Sequence, residues 1–538
     1  MTEVRTSHPR IVLLVVLDGW GIGDGGPGDA IARADTPNID RLTANFPHTR
    51  LFTHGRFVGL PSDKDLGGSE VGHLTMGAGR VLDQGSTRIG RAIADGSLFT
   101  TPVAERLWRC GRQGGTLHLI GLLSDGNIHS HIDHFIAMIE AADARGVGRL
   151  RLHALFDGRD VAVQSAERYV ARIERLFHRI NRQQGRDYAI ASGGGRERVV
   201  MDRDRHWPVV EAGWNQIVHG ASPHRFRSAQ EAIAHFRAAN PGLVDQDMEG
   251  FVVVDDTGTP LGPVRDGDAV VMMNFRADRA LELSEAFVLD DFAGFDRGRR
   301  PDCYFAAMTV YDEDRNLPPN QLMPPMRVDH TFGRMLVECG IRQFRLAETQ
   351  KYPHVTFFFN GGYHEPLDPA LETYRLIPSD RGISFADAPE MQAPRVADAA
   401  IEMIAGRSYG FGLINFANAD MVGHCGRIDA AVAAAQAVDR ALGRILQALE
   451  QAGGCALITA DHGNADEMLT ATGEPCTRHS RNPVPCILFD PQRAAGARLR
   501  QQGEEGAAPG LANLAATLCA MMGIAPLPQF APGLIAPA

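Results

Sequence analysis

Six carboxylate and imidazole side chains in this sequence have the types and spacing of metal ligands. Asp420 and His424 stand four residues apart, and on a helix this spacing places both side chains on one face. A carboxylate oxygen and an imidazole nitrogen there can share one divalent cation. Each motif alone is also typical of an ordinary turn or a solvated helix surface, but together they supply enough ligands for two ions. The other four residues, which end apolar runs or lie in a proline-containing loop, are Asp18, Asp461, His462 and His479.

A serine in a glycine-rich loop is the candidate nucleophile. Ser69 lies in residues 67–73, whose three glycines let the backbone pass close to an anionic substrate. A serine hydroxyl is a poor nucleophile at neutral pH, and coordination to a divalent cation favours its alkoxide. The loop alone also fits a helix start with Ser69 as the N-cap, and taken by itself it favours that structural interpretation.

Five arginines in the middle of the chain follow apolar runs or glycine-rich loops. Guanidinium groups bind carboxylate and phosphate through paired hydrogen bonds, so this set predicts a small polyanionic substrate. Any one of them is also typical of a solvated or aspartate-paired arginine. The five are Arg159, Arg196, Arg203, Arg276 and Arg279, and His129 lies in a neighbouring polar segment.

Short apolar runs that end abruptly in polar residues are the elements that must position these groups. They alternate with helical patterns such as residues 431–452, and this alternation predicts an α/β fold. In open α/β sheets, functional residues lie at the carboxyl ends of the strands. The runs interpreted as strands are residues 11–17, 117–123, 152–156, 270–275, 355–359, 413–416 and 456–460.

The length of 538 residues exceeds what one hydrophobic core usually holds, so at least two domains are expected. Connections rich in Gly and Pro at residues 77–85 and 316–325 divide the chain. The metal-type residues lie in the first and last pieces and the arginines in the middle one. We therefore expect a discontinuous metal domain, residues 1–83 and 315–538, interrupted by an inserted substrate domain, residues 84–314.

The net charge, the lengths of the apolar runs and the cysteine content limit which partners and which cellular compartment are expected. A net charge of −11 argues against a general affinity for nucleic acid. No apolar run is long enough to cross a membrane, and eight scattered cysteines predict free thiols in a reducing, cytoplasmic compartment. Among 54 basic residues only Lys64 and Lys351 are lysines, which is suggestive of a site at Lys351 that needs a compact ammonium.

The motif from residue 67 to residue 80 resembles the nucleophile motif of the 2,3-bisphosphoglycerate-independent phosphoglycerate mutases, which belong to the alkaline phosphatase superfamily. The resemblance covers almost the whole chain in the expected order. The spacing between residues 192–196 and residues 201–203 looks closer to the plant and trypanosomatid form than to the commonest bacterial one. It implies an alkaline-phosphatase-like metal domain with a second α/β domain inserted into it. Further matching motifs are residues 124–131, 157–160, 274–279, 347–354, 420–424, 461–463 and 479–485.

The resemblance implies an isomerase that interconverts 3-phosphoglycerate and 2-phosphoglycerate through a phosphoserine on Ser69, with the domains closing over the site. Asp160 would move protons on the glycerate hydroxyls, and Lys351 would stabilise phosphoryl charge. One ion would bind Asp420, His424 and His479, and the other would bind Asp18, Ser69, Asp461 and His462. Arg276 and Arg279 would hold the phosphate, and Arg159, Arg196, Arg203 and His129 the glycerate.

The implied cofactors are two divalent ions and no 2,3-bisphosphoglycerate. Manganese is the expected metal, with magnesium, cobalt or zinc as alternatives; the mixed oxygen and nitrogen ligands are compatible with manganese but do not select it. The expected partner is the phosphoglycerate substrate alone, bound by a monomer without nucleic acid or membrane.

Four departures from the family pattern affect loop shape and substrate fit more than reaction type. Gly68 replaces an asparagine, Cys425 replaces a threonine, and residues 161–163 and 379–388 differ from the usual sequence. Two alternatives stay open. A phosphatase or sulfatase of the same superfamily would pass the group to water, and a binding protein could keep the fold without catalysis.

Overall fold

The computed structural model describes residues 10–202, 204–312, 315–380, 382–470, 472–492, 498–504 and 508–536. The chain divides into two compact units, one formed by the segments up to Gln84 and from Met326, the other by Gly85–Pro325. The insertion extends beyond the expected end at residue 314. This is because the backbone N–H groups of Leu322 and Met323 donate to the oxygens of Ala307 and Met308, both at 2.9 Å, and so extend the sheet of the inserted unit.

Elements are numbered along the whole chain, and the discontinuous unit is called the metal unit. Its strands are β1 (Val12–Leu17), β2 (His48–Leu51), β10 (Gln343–Glu348), β11 (Glu372–Ile377), β12 (Phe411–Phe416), β13 (Cys455–Thr459), β14 (Val484–Phe489), β15 (Arg498–Leu499) and β16 (Ile535–Ala536). Its α-helices are α1 (Ala30–Arg33), α2 (Pro37–Asn45), α3 (Ser69–Ala78), α11 (Phe332–Glu338), α12 (Ala393–Ala405), α13 (Asn418–Gly423), α14 (Ile428–Gln451) and α15 (Leu514–Met522). Two 3-10 turns cover Gly55–Val58 and Leu511–Asn513.

Seven strands of the metal unit form one sheet in the order β11-β10-β12-β1-β13-β14-β2. The five strands from β11 to β13 run parallel, whereas β14 and β2 pair antiparallel with their neighbours. In the central register Leu14 lies between Leu413 and Leu457. All six residues of β1 are buried and apolar, as expected for a strand covered on both faces. Outside this sheet, β15 and β16 form an antiparallel pair.

The inserted unit contains the second sheet, in the strand order β6-β7-β5-β4-β3-β8-β9. Its strands are β3 (Leu117–Leu122), β4 (Arg149–Phe156), β5 (Asp187–Gly195), β6 (His224–Phe226), β7 (Phe251–Val253), β8 (Ala269–Met272) and β9 (Tyr304–Ala307). Its helices are α4 (Gly85–Ala94), α5 (Pro102–Arg112), α6 (Ile132–Ala144), α7 (Ala166–Gln184), α8 (Trp207–Val218), α9 (Ala229–Ala239) and α10 (Leu281–Val288), with 3-10 turns at Ser97–Thr100 and Asp245–Asp247. Only the β5–β7 pairing is antiparallel among those described.

These two sheets confirm the predicted α/β fold with a second α/β unit inserted into the first. Six of the seven apolar runs are strands, and the predicted helix at residues 431–452 corresponds to α14. The strand prediction for residues 355–359 was wrong, because His354–Phe358 forms a short π-helix. Val355 and Phe359, four residues apart, are fully buried, and a short apolar run does not distinguish this helical burial from a strand.

All eight cysteines are free. Within the described residues, every helix is too short or too polar to cross a membrane.

Candidate active site

The predicted metal ligands come together at the carboxyl ends of the central strands of the metal unit. Asp18 directly follows β1, and Asp461 and His462 follow β13. Asp420 lies in α13, the helix that begins two residues after β12. Because β1, β12 and β13 are neighbouring parallel strands, their carboxyl ends meet at one edge of the sheet.

The first predicted ligand set, Asp420, His424 and His479, is compact. Asp420 Oδ1 lies 3.2 Å from His424 Nε2 and 3.3 Å from His479 Nε2. The two Nε2 atoms are 3.2 Å apart. His424 does not lie within the helix as predicted, since α13 ends at Gly423, but it keeps the four-residue contact with Asp420.

The other ring nitrogens of these two histidines identify their tautomers. His424 Nδ1 lies 2.6 Å from the backbone oxygen of Thr477, and His479 Nδ1 lies 2.7 Å from that of Gly67. Nδ1 must therefore carry the proton in the neutral ring, and both Nε2 lone pairs face each other and Asp420. Three electron-pair donors pointing at one position fit a divalent cation, with carbonyl oxygens that orient the rings.

The second predicted set is built around Ser69. Its Oγ lies 3.2 Å from Asp18 Oδ1 and 2.9 Å from His462 Nε2. His462 Nε2 lies 3.7 Å from Asp461 Oδ2, a buried oxygen without a hydrogen-bond partner in the described part of the chain. This carboxylate oxygen, which lies 3.4 Å from His73 Nδ1 and has no hydrogen bond among the described residues, also fits a bound cation. The ligand atoms of Asp18, Asp461 and His462 lie within 4.8 Å of one another, as do those of Asp420, His462 and His479.

Ser69 is not the N-cap considered from the loop sequence. Gly68 occupies the cap position, and Ser69 is the first residue of α3. The hydroxyl points into the metal-ligand cluster at the helix N-terminus, where backbone N–H groups favour negative charge.

Lys351 supplies a buried positive charge within this cluster. Its Nζ donates to Asp18 Oδ1 and Ser69 Oγ, both at 2.7 Å, and to Asp420 Oδ2 at 2.6 Å. Burial lowers the pKa of Lys351, but attraction to Asp18 and Asp420 outweighs it, so the pKa is above its usual value. The side chain therefore remains an ammonium at physiological pH.

Burial also sets the charge state of the other groups. It raises the pKa of Asp18 to about 7, with a further contribution from the nearby Asp461 carboxylate and opposition from Lys351. Burial lowers the pKa of His462 to about 4, which keeps this imidazole neutral. A neutral imidazole is the form that binds metal.

In the inserted unit, Arg196 is the centre of a buried polar group. Its Nη1 donates to Asp157 Oδ1 at 3.0 Å and to Asp160 Oδ2 at 2.6 Å, and its Nη2 donates to His129 Nε2 at 2.8 Å. Burial and the adjacent Arg196 charge lower the pKa of His129 to about 4, so this histidine is a neutral acceptor. Ser124 Oγ donates to Asp157 at 2.6 Å and fixes that carboxylate.

The remaining predicted arginines surround this group. Glu197 Oε1 lies 3.5 Å from Nη1 of the half-exposed Arg159 and 3.4 Å from Nη1 of the buried Arg279. Arg276 is about half exposed, and its Nε lies 3.4 Å from Asp278, which also contacts His129. Arg203 lies outside the described residues.

Sequence reasoning missed four residues that contact the predicted ones. His73 and Asn415 contact Asp461 and Asp18, respectively, and Asn464 Nδ2 donates to Asp420 Oδ1 at 2.9 Å. Glu197 joins the arginines of the inserted unit. Asn415 could have been identified from the sequence, because it is a polar residue within the apolar run at residues 413–416.

Carboxylates, imidazoles and a buried serine at the strand ends of an α/β unit define a metal-dependent enzyme. A family model described as the Metalloenzyme superfamily matches residues 10–526, nearly the whole chain.

Three relatives narrow the class. A probable 2,3-bisphosphoglycerate-independent phosphoglycerate mutase 2 of Arabidopsis thaliana is 43% identical, covering 96% of this chain and 95% of its own length. A probable enzyme of the same name from Leptospira interrogans is 42% identical over 99% of both chains. The crystal structure of Leishmania mexicana phosphoglycerate mutase at low cobalt concentration has 40% identity and a TM-score of 0.70, covering 98% of both chains. The chain belongs to the 2,3-bisphosphoglycerate-independent phosphoglycerate mutases, a family of isomerases, as its motifs predicted.

Proposed function

We propose that this protein interconverts 3-phosphoglycerate and 2-phosphoglycerate through a phosphoserine on Ser69. The observation that carries the proposal is the position of the Ser69 hydroxyl, which is buried within hydrogen-bonding distance of Asp18, His462 and Lys351. The names of full-length relatives at 42–43% identity support the same substrates.

Two divalent ions are part of the proposal. Asp420, His424 and His479 would hold one ion, and Asp18, Ser69, Asp461 and His462 the other. When bound, the ions favour the alkoxide of Ser69 and neutralise charge on the phosphoryl oxygens. We propose manganese as the metal, with magnesium, cobalt or zinc as substitutes. The protein would act as a cytoplasmic monomer, without 2,3-bisphosphoglycerate and without nucleic acid or membrane as partners.

The chain's own groups carry the phosphoryl transfer. The Ser69 alkoxide attacks phosphorus, the bond between phosphorus and the substrate C3 oxygen breaks, and that oxygen takes a proton from Asp160. Asp160 then removes the proton of the 2-hydroxyl, whose oxygen takes the phosphoryl group back from Ser69. The ammonium of Lys351 stabilises negative charge on the Ser69 oxygen in both directions.

The arginines of the inserted unit are proposed to hold the substrate between the two transfers. Arg276 and Arg279 would bind the phosphate, while Arg159, Arg196, Arg203 and His129 would bind the glycerate. Paired hydrogen bonds from guanidinium groups suit carboxylate and phosphate and would prevent the glycerate from leaving. Retained glycerate, rather than water, then accepts the phosphoryl group.

The test is conversion of 3-phosphoglycerate to 2-phosphoglycerate, coupled to enolase, without 2,3-bisphosphoglycerate and with free phosphate measured in parallel. We expect activity that EDTA abolishes and Mn²⁺ restores, with little phosphate released. Ser69→Ala should abolish turnover and the phosphopeptide seen after acid quench, whereas Ser62→Ala, at an exposed position of the same unit, should keep both. Phosphate release without 2-phosphoglycerate would instead identify a hydrolase.

A further inference from the structure

A continuous line of hydrogen bonds joins helix α3 to the Asp18 carboxylate. His73 Nδ1 lies 2.9 Å from the backbone oxygen of Ser69, one turn earlier in the helix. His73 Nε2 lies 3.2 Å from Asn415 Nδ2, and the same amide nitrogen donates to Asp18 Oδ2 at 2.8 Å. His73, Asn415 and Asp18 are each fully buried, so water does not compete for these bonds.

The direction of every bond in this line follows from its ends. The Ser69 carbonyl oxygen can only accept, so His73 Nδ1 carries the proton and Nε2 has the lone pair. The Asn415 amide then uses one N–H for His73 and the other for Asp18. With this His73 tautomer, the reversed amide would place its oxygen against two acceptors, so the ring fixes the orientation of Asn415.

Asn415 in turn fixes the rotation of the Asp18 carboxylate. With Oδ2 held by Asn415, Oδ1 faces Lys351 Nζ at 2.7 Å, Ser69 Oγ at 3.2 Å and His462 Nε2 at 3.5 Å. The line therefore ties the position of the Ser69 helix turn to the carboxylate oxygen that faces the Ser69 hydroxyl.

We propose that His73 and Asn415 are positioning residues that orient Asp18 and the first turn of α3 for metal binding and phosphoryl transfer. This inference rests on the proposed function. Neither side chain is one of the predicted ligands. Asn415 acts through Asp18, and His73 acts through Asn415, the Ser69 backbone and Asp461, whose Oδ2 lies 3.4 Å from His73 Nδ1. Loss of such outer groups typically lowers metal affinity or activity by about 10–100-fold.

Mn²⁺ binding to the full-length chain, followed by calorimetry and by the EPR signal of free Mn²⁺, tests the inference directly. Asn415→Leu keeps the branching and the heavy-atom count of the side chain but removes both donors. It should weaken the binding of one of the two ions by at least about tenfold. The same variant should lower kcat more than it raises KM, because Asn415 faces the metal ligands.

A pair of variants at His73 separates positioning from packing. In His73→Gln the amide oxygen can occupy the place of Nε2 and accept from Asn415, so Mn²⁺ affinity should be restored close to that of the wild type. In His73→Asn the shorter amide loses this acceptor, and affinity should fall as in Asn415→Leu. Thr75→Val is the matched control, since it removes a buried hydroxyl whose hydrogen bond, among the described residues, goes to the Val71 backbone oxygen of the same helix.

Wild-type affinity in both Asn415→Leu and His73→Asn would overturn the inference, as would equal losses in His73→Gln and His73→Asn. If Asn415→Leu does not fold, the two His73 variants decide the question. A wild-type chain that binds two Mn²⁺ ions but only releases phosphate would refute the proposed function while leaving the positioning role testable by the same affinities.

Discussion

Lys351→Met should strongly destabilise the metal-free protein. The ammonium lies 2.7 Å from an Asp18 oxygen and 2.6 Å from an Asp420 oxygen, and all three side chains are at most 5% exposed. Methionine keeps an unbranched side chain one heavy atom shorter than that of lysine, and it removes the charge. Removing one member of a buried ion pair costs about 3–5 kcal/mol, because the remaining charge stays desolvated. Since two carboxylates lose the same partner, we expect a loss near the upper end of that range.

Amide hydrogen exchange in β1 and β12, measured in EDTA over a series of urea concentrations, reports the unfolding free energy of the metal unit. With saturating Mn²⁺ the difference between variant and wild type should shrink, because bound cations neutralise the same carboxylates. Lys64→Met is the matched control, since Lys64 is the chain's other lysine and is exposed. A loss below about 1 kcal/mol in EDTA, the value of an exposed pair, would refute the reasoning.

Three further predictions concern other parts of the molecule. Burial holds the pKa of His153 well below its usual value. On acidification the unfolded chain therefore takes up a proton at this residue before the folded chain does. The contribution to stability should be complete above pH ~6.5 and fall on acidification by up to about 1.4 kcal/mol per pH unit. His153→Gln should flatten that acid slope in urea titrations, and an unchanged slope would contradict the assignment. Gly68→Asn should fold normally, because the Gly68 backbone is extended and a Cβ there would lie 3.6 Å from His479 Cε1, an ordinary contact distance. Thermal melts of this variant should match those of the wild type, while its kcat should rise. Arg196→Lys should lower kcat/KM by about 10–150-fold, the equivalent of about 1.5–3 kcal/mol for a hydrogen bond to a charged group. The reason is that a lysine ammonium cannot bridge Asp160 and its neighbours as the planar guanidinium does. A near-normal kcat/KM would rule this out.

The sequence was most informative where a strand ends in a polar residue. Asp18 and Asp461 could be predicted as neighbours, since buried parallel strands bring their carboxyl ends together regardless of sequence separation. The same reasoning failed for residues 355–359, because a five-residue apolar run carries no periodicity that separates a strand from a buried helical turn.

Residues that act through another residue were not predictable in this way. His73 and Asn415 are 342 positions apart, and their contact depends on the packing of α3 against the central sheet. Glu197 directly follows Arg196, but its proximity to Arg279 depends on how distant segments of the inserted unit fold. The spacing of residues along the sequence therefore predicts candidate metal ligands well, but it does not predict hydrogen bonds between distant segments.

The division of the metal unit into two chain segments has a consequence for biosynthesis. Strand β1 ends at Leu17, but its two parallel partners begin only at Phe411 and Cys455. At about 5–20 residues per second, roughly 20–80 s of translation separate β1 from its first partner. The inserted unit is continuous and complete at Pro325, so it can fold on the ribosome while β1, six apolar residues long, has no sheet to join. Strand β1 thus stays an unpaired apolar segment of the nascent chain until β12 is made, and ribosome profiling of chaperone-bound chains should show occupancy that ends after β12 emerges.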